Sequence, residues 1–125
     1  MKNIELIQLD LLSEASLNKL IYHNFDIVFS WATIIYVHPR KFKKLIKILN
    51  QLSLKQLIFI ERNFTKKSFF SYLDFFRNAP NWIHNYVFEL KLFEKDLIVR
   101  QEKVPNEIWL PGGGSAFLLD IRKSH

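Results

Sequence analysis

Two almost uninterrupted apolar runs constrain what this chain can fold into more than any other feature of it. Phe25-Asp26-Ile27-Val28-Phe29-Ser30-Trp31 and Leu57-Ile58-Phe59-Ile60 are short and rich in β-branched and aromatic residues. Runs of this kind belong to strands buried on both faces, as in a parallel sheet. Between them Pro39 opens a segment, about Arg40 to Leu52, in which Phe42, Leu45, Ile46 and Leu49 recur at helical spacing. Strand, helix and strand in that order form a βαβ unit, whose crossover should be right-handed.

Further elements flank this unit. Residues 4–9 mix alternation with β-branched residues and stop at Asp10, which predicts a short strand. Ser13 is placed to cap a helix that carries Leu17, Leu20 and Ile21 on one face. Residues 64–81 are rich in aromatics (Phe69, Phe70, Tyr72, Phe75, Phe76) but lack a clean period, as expected of a short helix plus loop that covers something. Pro80 could start a helix through about Phe93, although the alternation of Phe88, Leu90 and Leu92 also permits a strand. Residues 97–99 and 116–121 close the chain as two late strands. The long connection between them carries strong turn signals at Pro105, Pro111 and Gly112-Gly113-Gly114. No repeat or linker divides the sequence, so residues 1–125 are expected to form a single domain.

Composition narrows the function classes. With 49% hydrophobic residues, 24% charged residues, three Gly and four Pro, the chain is neither collagen-like nor disordered. It has no Cys, which excludes disulfides, thiolate catalysis and Cys-based metal sites. No stretch approaches the roughly 18 to 20 uninterrupted apolar residues of a membrane-spanning helix. The opening residues lack a secretory pattern, so the expectation is a cytoplasmic protein with no membrane partner. Its net charge of +6 sits largely in Arg40-Lys41-Phe42-Lys43-Lys44-Leu45-Ile46-Lys47, opposite the apolar stripe of that helix. Such a face attracts polyanions but is more often simply solvated.

Ligands of open α/β sheets bind beyond the carboxyl ends of the strands. The residues just past those ends are Asp10-Leu11, Ser30-Trp31-Ala32-Thr33 and Glu61-Arg62-Asn63. Asp10 could accept hydrogen bonds from a ribose or an adenine amine, and Glu61 could serve as base or substrate anchor. Strand ends are also polar for ordinary reasons. Asp26 begins a strand, where a carboxylate caps a loop or pairs with a cation. His38 precedes Pro39 at the mouth of a helix and is a candidate general base, although a surface-loop His is the commoner outcome. His23, His84 and His125 show no metal spacing, so no metal site is expected. The triple glycine precedes a strand and is a flexible turn, not a phosphate loop. No Gly-x-Ser-x-Gly elbow is present.

As an ordered set these residues resemble a known family. The segment from Phe25 through Ser30-Trp31-Ala32-Thr33-Ile34-Ile35-Tyr36-Val37 to His38-Pro39 is similar to the fourth-strand segment of class I S-adenosylmethionine-dependent methyltransferases. Leu57-Ile58-Phe59-Ile60-Glu61 resembles their fifth strand, Glu5 to Leu12 their third, and Phe117-Leu118-Leu119-Asp120-Ile121-Arg122 their closing strand. The resemblance implies an α/β fold: a partial Rossmann-like methyltransferase sheet, strands three to seven, with flanking helices. It implies S-adenosylmethionine as cofactor, with Asp10 and Leu11 flanking the adenine and Ser30, Trp31 and Ala32 near the methyl donor. Tyr36, His38 and Glu61 become the candidate catalytic residues, and Arg62 and Asn63 would line the substrate side. The aromatic stretch from Phe64 to Trp82 resembles the variable region that covers the substrate.

One departure shapes the functional expectation. Members of that family begin with a first strand and a glycine-rich turn that cradles the methionine part of the cofactor. This sequence has no Gly before Gly112. The chain is therefore expected to be the C-terminal part of a methyltransferase, truncated or split, with an incomplete cofactor site and little activity alone. A partner chain would supply the missing half, or the exposed sheet edge would drive self-association. The acceptor is left open among a small molecule, a sugar, a protein and RNA. The alternative is a non-catalytic module that binds RNA through residues 40–47. A flavodoxin-like binding domain would need a phosphate-binding turn that is not found.

Overall fold

The computed structural model describes residues 3–11, 13–20, 22–63, 72–74, 81–109 and 116–124, with the backbone alone for 72–74 and 81. The elements run α1 (Glu14–Asn18), β1 (Phe25–Trp31), a 3₁₀ turn (Ile34–Tyr36), α2 (Pro39–Leu52), β2 (Ser53–Glu61), β3 (Tyr72–Asp74), β4 (Asn81–Ile83), α3 (Tyr86–Lys91), β5 (Leu97–Lys103) and β6 (Phe117–Lys123). Strands β1, β2, β6 and β5 form one sheet in that order, and β3 and β4 form a separate hairpin-like pair. As expected, β1 and β2 are parallel and joined through α2. The closing strand β6 inserts antiparallel between β2 and β5.

Every helix feeds one core on one side of the sheet. Leu17 of α1, Phe42, Leu45 and Ile46 of α2, and Tyr86 and Leu90 of α3 pack with Leu57, Phe59, Leu119 and Ile121 from the strands. The apolar stripe expected on α2 is the one that is buried, and its lysines face solvent. His38 caps that helix: its Nδ1 accepts from the Arg40 amide at 3.1 Å, and Pro39 occupies the first turn. At the other end Lys123 Nζ donates to the carbonyls of Asn50 and Ser53, tying the α2–β2 corner to the last strand. A smaller cluster of Ile35, Val104, Trp109 and Ala116 closes the carboxyl end of the sheet.

Several expectations need correction. Residues 4–9 form no strand: they pair with nothing in the sheet, and Ile4, Leu6 and Ile7 are exposed. Alternation makes a strand only where a neighbouring edge takes its hydrogen bonds, and the described sheet places none beside this segment. The first of the five expected strands is thus missing from an otherwise matching sheet. Strand β1 is not buried on both faces either. It lies at the sheet edge, and Phe25, Ile27, Phe29 and Trp31 are 40%, 52%, 57% and 49% exposed, because the helices cover only the opposite face. The helix expected from Pro80 starts later, at Tyr86, since Trp82 and Ile83 pair with β3. Residues 64–71 and 75–80, where a short helix was expected, lie outside the described residues, as does the triple glycine.

Asp26 does pair with a cation, Lys55 Nζ, at 2.7 Å. No helix among the described residues is long and apolar enough to cross a membrane. No group of three or more metal-ligating side chains occurs among them.

Candidate functional site

The backbone just past β1 is the most constrained turn in the described chain. Ala32 has a φ of 50°, and it is the only described residue other than glycine with a positive φ. A side chain bearing a Cβ in that region costs about 1–2 kcal/mol, so surrounding contacts must hold it there. They do. The Ala32 amide donates to the Ile60 carbonyl at 2.9 Å, continuing the β1–β2 ladder around the corner. Thr33 Oγ1 donates to the Trp31 carbonyl at 2.9 Å.

Glu61, at the end of β2, closes the arrangement. Its Oε1 accepts from the Ser30 hydroxyl at 2.8 Å, the Thr33 amide at 3.0 Å and the Ile34 amide at 3.2 Å. Glu61 is fully buried, and burial pushes its carboxyl above the ordinary range while these donors pull it partly back. Its Oε2 and the buried hydroxyl of Tyr86 have no hydrogen-bond partner among the described residues. Burial, reinforced by the charge of Glu61, raises the Tyr86 phenol well above its usual value. The turn is held from a further side by His84, whose Nε2 lies 3.2 Å from the Ile34 carbonyl. The His84 ring stacks on Phe42 with centroids 3.9 Å apart, and burial depresses its pKa to about 4. A carbonyl only accepts, so it is Nε2 that carries a proton in this contact.

Beside this turn runs a groove of about 360 Å³ along the open edge of β1, with Leu11, Ser30, Trp31, Thr33 and Leu45 among its walls. Three of the five expected cofactor residues, Leu11, Ser30 and Trp31, therefore meet in one concavity. Asp10 is exposed and not part of the groove, with its carbonyl accepting from the Ser13 amide. Ala32 turns away to pack beside Ile35, Trp109 and Ala116. Of the expected catalytic residues, Glu61 is committed to the turn through Oε1. Tyr36 is exposed on the 3₁₀ turn. His38 has Nδ1 accepting in the α2 cap and its ring edge against Trp82, so the neutral ring carries its proton on Nε2, which is a donor and not the general base expected from the sequence. Arg62 is buried, which lowers its pKa, and Asn63 donates to Gln101 at 3.3 Å. The sequence assigned nothing to His84 or Tyr86. A lone His before a helix carries no local signal; only the fold brings it against the Ile34 carbonyl.

No protein-family model matches the sequence, and no curated protein matches it. A solved structure does. The magnesium protoporphyrin IX methyltransferase from Synechocystis PCC 6803, with bound S-adenosylhomocysteine, superimposes with a TM-score of 0.55 at 14% identity. The fold is that of a class I methyltransferase, in part. The match covers 84% of this chain and 48% of the Synechocystis enzyme, so the chain spans about half the length of its structural neighbour. The methyltransferase-like sheet accounts for the parallel β1–α2–β2 unit, with the groove beside the carboxyl end of β1.

Proposed function

We propose that this chain is the donor- and acceptor-facing part of an S-adenosylmethionine-dependent methyltransferase, completed by a second polypeptide. The observation that carries the reading is the left-handed turn at Ala32, pinned by buried Glu61 at the carboxyl end of β1, beside a groove. Strained backbone that its surroundings over-determine gathers at ligand sites. The likeness to an enzyme solved with S-adenosylhomocysteine supplies the ligand class.

The residues fit one end of that cofactor. Leu11 and the Trp31 side of the groove offer apolar and aromatic walls for an adenine, while Asp10 lies outside the groove. Nothing before Gly112 can make the glycine-rich turn that would hold the methionine end. A second polypeptide, adding a strand along the open edge of β1, would bring it. When bound, the cofactor supplies an electrophilic methyl group on a sulfonium. The chain's own task is alignment: Ser30 and Ala32 set the floor of the turn, and Glu61 holds its shape as a positioning residue. Tyr36 and His38 belong to the acceptor side, where the His38 Nε2–H is a hydrogen-bond donor and a base is useful only if the acceptor has a proton to lose. Arg62 and Asn63 complete that side.

RNA binding through residues 40–47 has less support. Lys44 is paired with Glu14, and Lys43 lies near Glu89, which lowers the pull of this face on phosphate. Equilibrium dialysis of the full chain with labelled S-adenosylmethionine tests the proposal. Weak, saturable binding competed by S-adenosylhomocysteine is expected, reduced about tenfold in Trp31→Ala, the loss typical of one stacking partner. Absence of saturable binding by a cooperatively melting chain would refute it.

A further inference from the structure

We propose that two copies of this chain pack face to face through the side of the sheet that carries no helix among the described residues, centred on Phe29. In-register pairing puts Ile27, Phe29 and Trp31 of β1 on the same face as Gln56, Ile58 and Ile60 of β2. The same face continues through Leu118, Asp120 and Arg122 of β6 to Ile98, Arg100 and Glu102 of β5. At the carboxyl end of the sheet Ile60 and Leu118 are covered by Ile35, Val104, Trp109 and Ala116. The rest of the face is divided into an apolar half at β1 and a charged half at β5 and β6. Parallel strands are ordinarily covered on both faces. Here Phe25, Ile27, Phe29 and Trp31 are each about half exposed.

Charge favours a second copy as the cover. The cations on this face are already answered within it: Arg122 with Asp120, and Arg100 with Glu102. The face is therefore neutral and self-complementary. The lysines behind the +6 charge, Lys41, Lys43, Lys44 and Lys47, project with Arg40 from α2 on the opposite layer. Two copies meeting through the bare face keep those helices far apart, beyond the range over which salt leaves exposed charges in contact. An approach through the α2 faces would bring like charge to like.

Area agrees. The four half-exposed side chains offer about 400 Å² per copy, given that large aromatic side chains bury 150–250 Å² each. A standard interface takes about 800 Å² from each partner, a little over half of it apolar. Two sheets stacked about 10 Å apart, with apolar halves overlapping and charged halves at the rim, satisfy both figures. Phe29 and Trp31 also line the groove beside β1, so the contact and the proposed cofactor site share Trp31, and sedimentation of the chain without cofactor reads the contact separately.

Sedimentation velocity of the full chain over a wide concentration range decides the matter. A reversible monomer–dimer equilibrium is expected. Phe29→Asp should weaken it about thirtyfold or more, as for a central aromatic anchor, with an unchanged circular dichroism spectrum. Lys43→Glu with Lys47→Glu should leave it unchanged. Mixing Phe29→Asp with Phe29→Lys should restore a heterodimer, since a two-fold axis near this residue brings the copies of it together. A folded chain that stays monomeric throughout, or a Phe29→Asp variant that dimerises like the parent, would overturn the proposal.

Discussion

The Glu61 carboxylate and the Ser30 hydroxyl meet at 2.8 Å although 31 residues separate them in the chain. Their contact joins the ends of two parallel strands, and the same carboxylate oxygen holds the first amides of the turn that follows β1. The shape of the candidate site is therefore fixed from β2, by a residue that need not touch a ligand.

Removing that carboxylate should cost stability in a way its amide analogue does not. Glu61→Ala strands the Ser30 hydroxyl and two amide donors, and a loss of about 2 kcal/mol or more is expected in urea unfolding at neutral pH. Glu61→Gln keeps an acceptor and should lose much less. Burial raises the folded pKa of Glu61, so the folded chain holds this proton more tightly than the unfolded chain. Its contribution is full below the ordinary carboxyl pKa and declines as pH rises through the raised value. Glu61→Gln should remove that decline from the stability–pH curve; an identical curve in both proteins would be contrary evidence.

His84 gives the opposite slope. Its pKa falls from 6.5 to about 4 on folding, chiefly through burial. The unfolded chain then binds the extra proton in that window, and stability present above pH 6.5 is lost as pH falls toward 4. The integrated effect is about 3 kcal/mol. His84→Gln, which retains a donor for the Ile34 carbonyl, should flatten the acid limb of urea-denaturation midpoints measured against pH.

How much of this was legible in the sequence depended on whether the signal was local. Pro39 and the spacing of Phe42, Leu45, Ile46 and Leu49 marked α2 within a residue of its observed start, because cap and stripe are properties of neighbouring residues. The two apolar runs gave β1 and β2 and their parallel pairing. Their burial could not be read, since an apolar strand looks the same at an edge as in a sheet interior. Residues 4–9 had the alternation of a strand but pair with no described strand, which no local pattern reveals. At the site, the sequence brought Ser30, Trp31 and Glu61 to one rim by counting strand ends. It missed His84 and Tyr86, which reach the turn only through tertiary packing.

Ala32 offers a test of stored strain. Glycine enters the left-handed region without the Cβ penalty, so Ala32→Gly should be neutral or stabilising by up to about 1 kcal/mol, after the loss of methyl packing beside Ile35 and Trp109. A β-branched side chain fits that region worst, and Ala32→Val should cost about 2 kcal/mol or more. Thermal melts of the two variants measure both. Equal melting temperatures for Gly and Val would mean that the turn relaxes freely.

The most direct measurement follows backbone amides of the nitrogen-15-labelled full chain while S-adenosylhomocysteine is added. A donor site at the pinned turn requires saturable shifts in Leu11 and in residues 30–34, with the amides of residues 40–47 unmoved. A folded chain whose residues 30–34 do not respond, or one whose shifts concentrate along the basic helix, would contradict it.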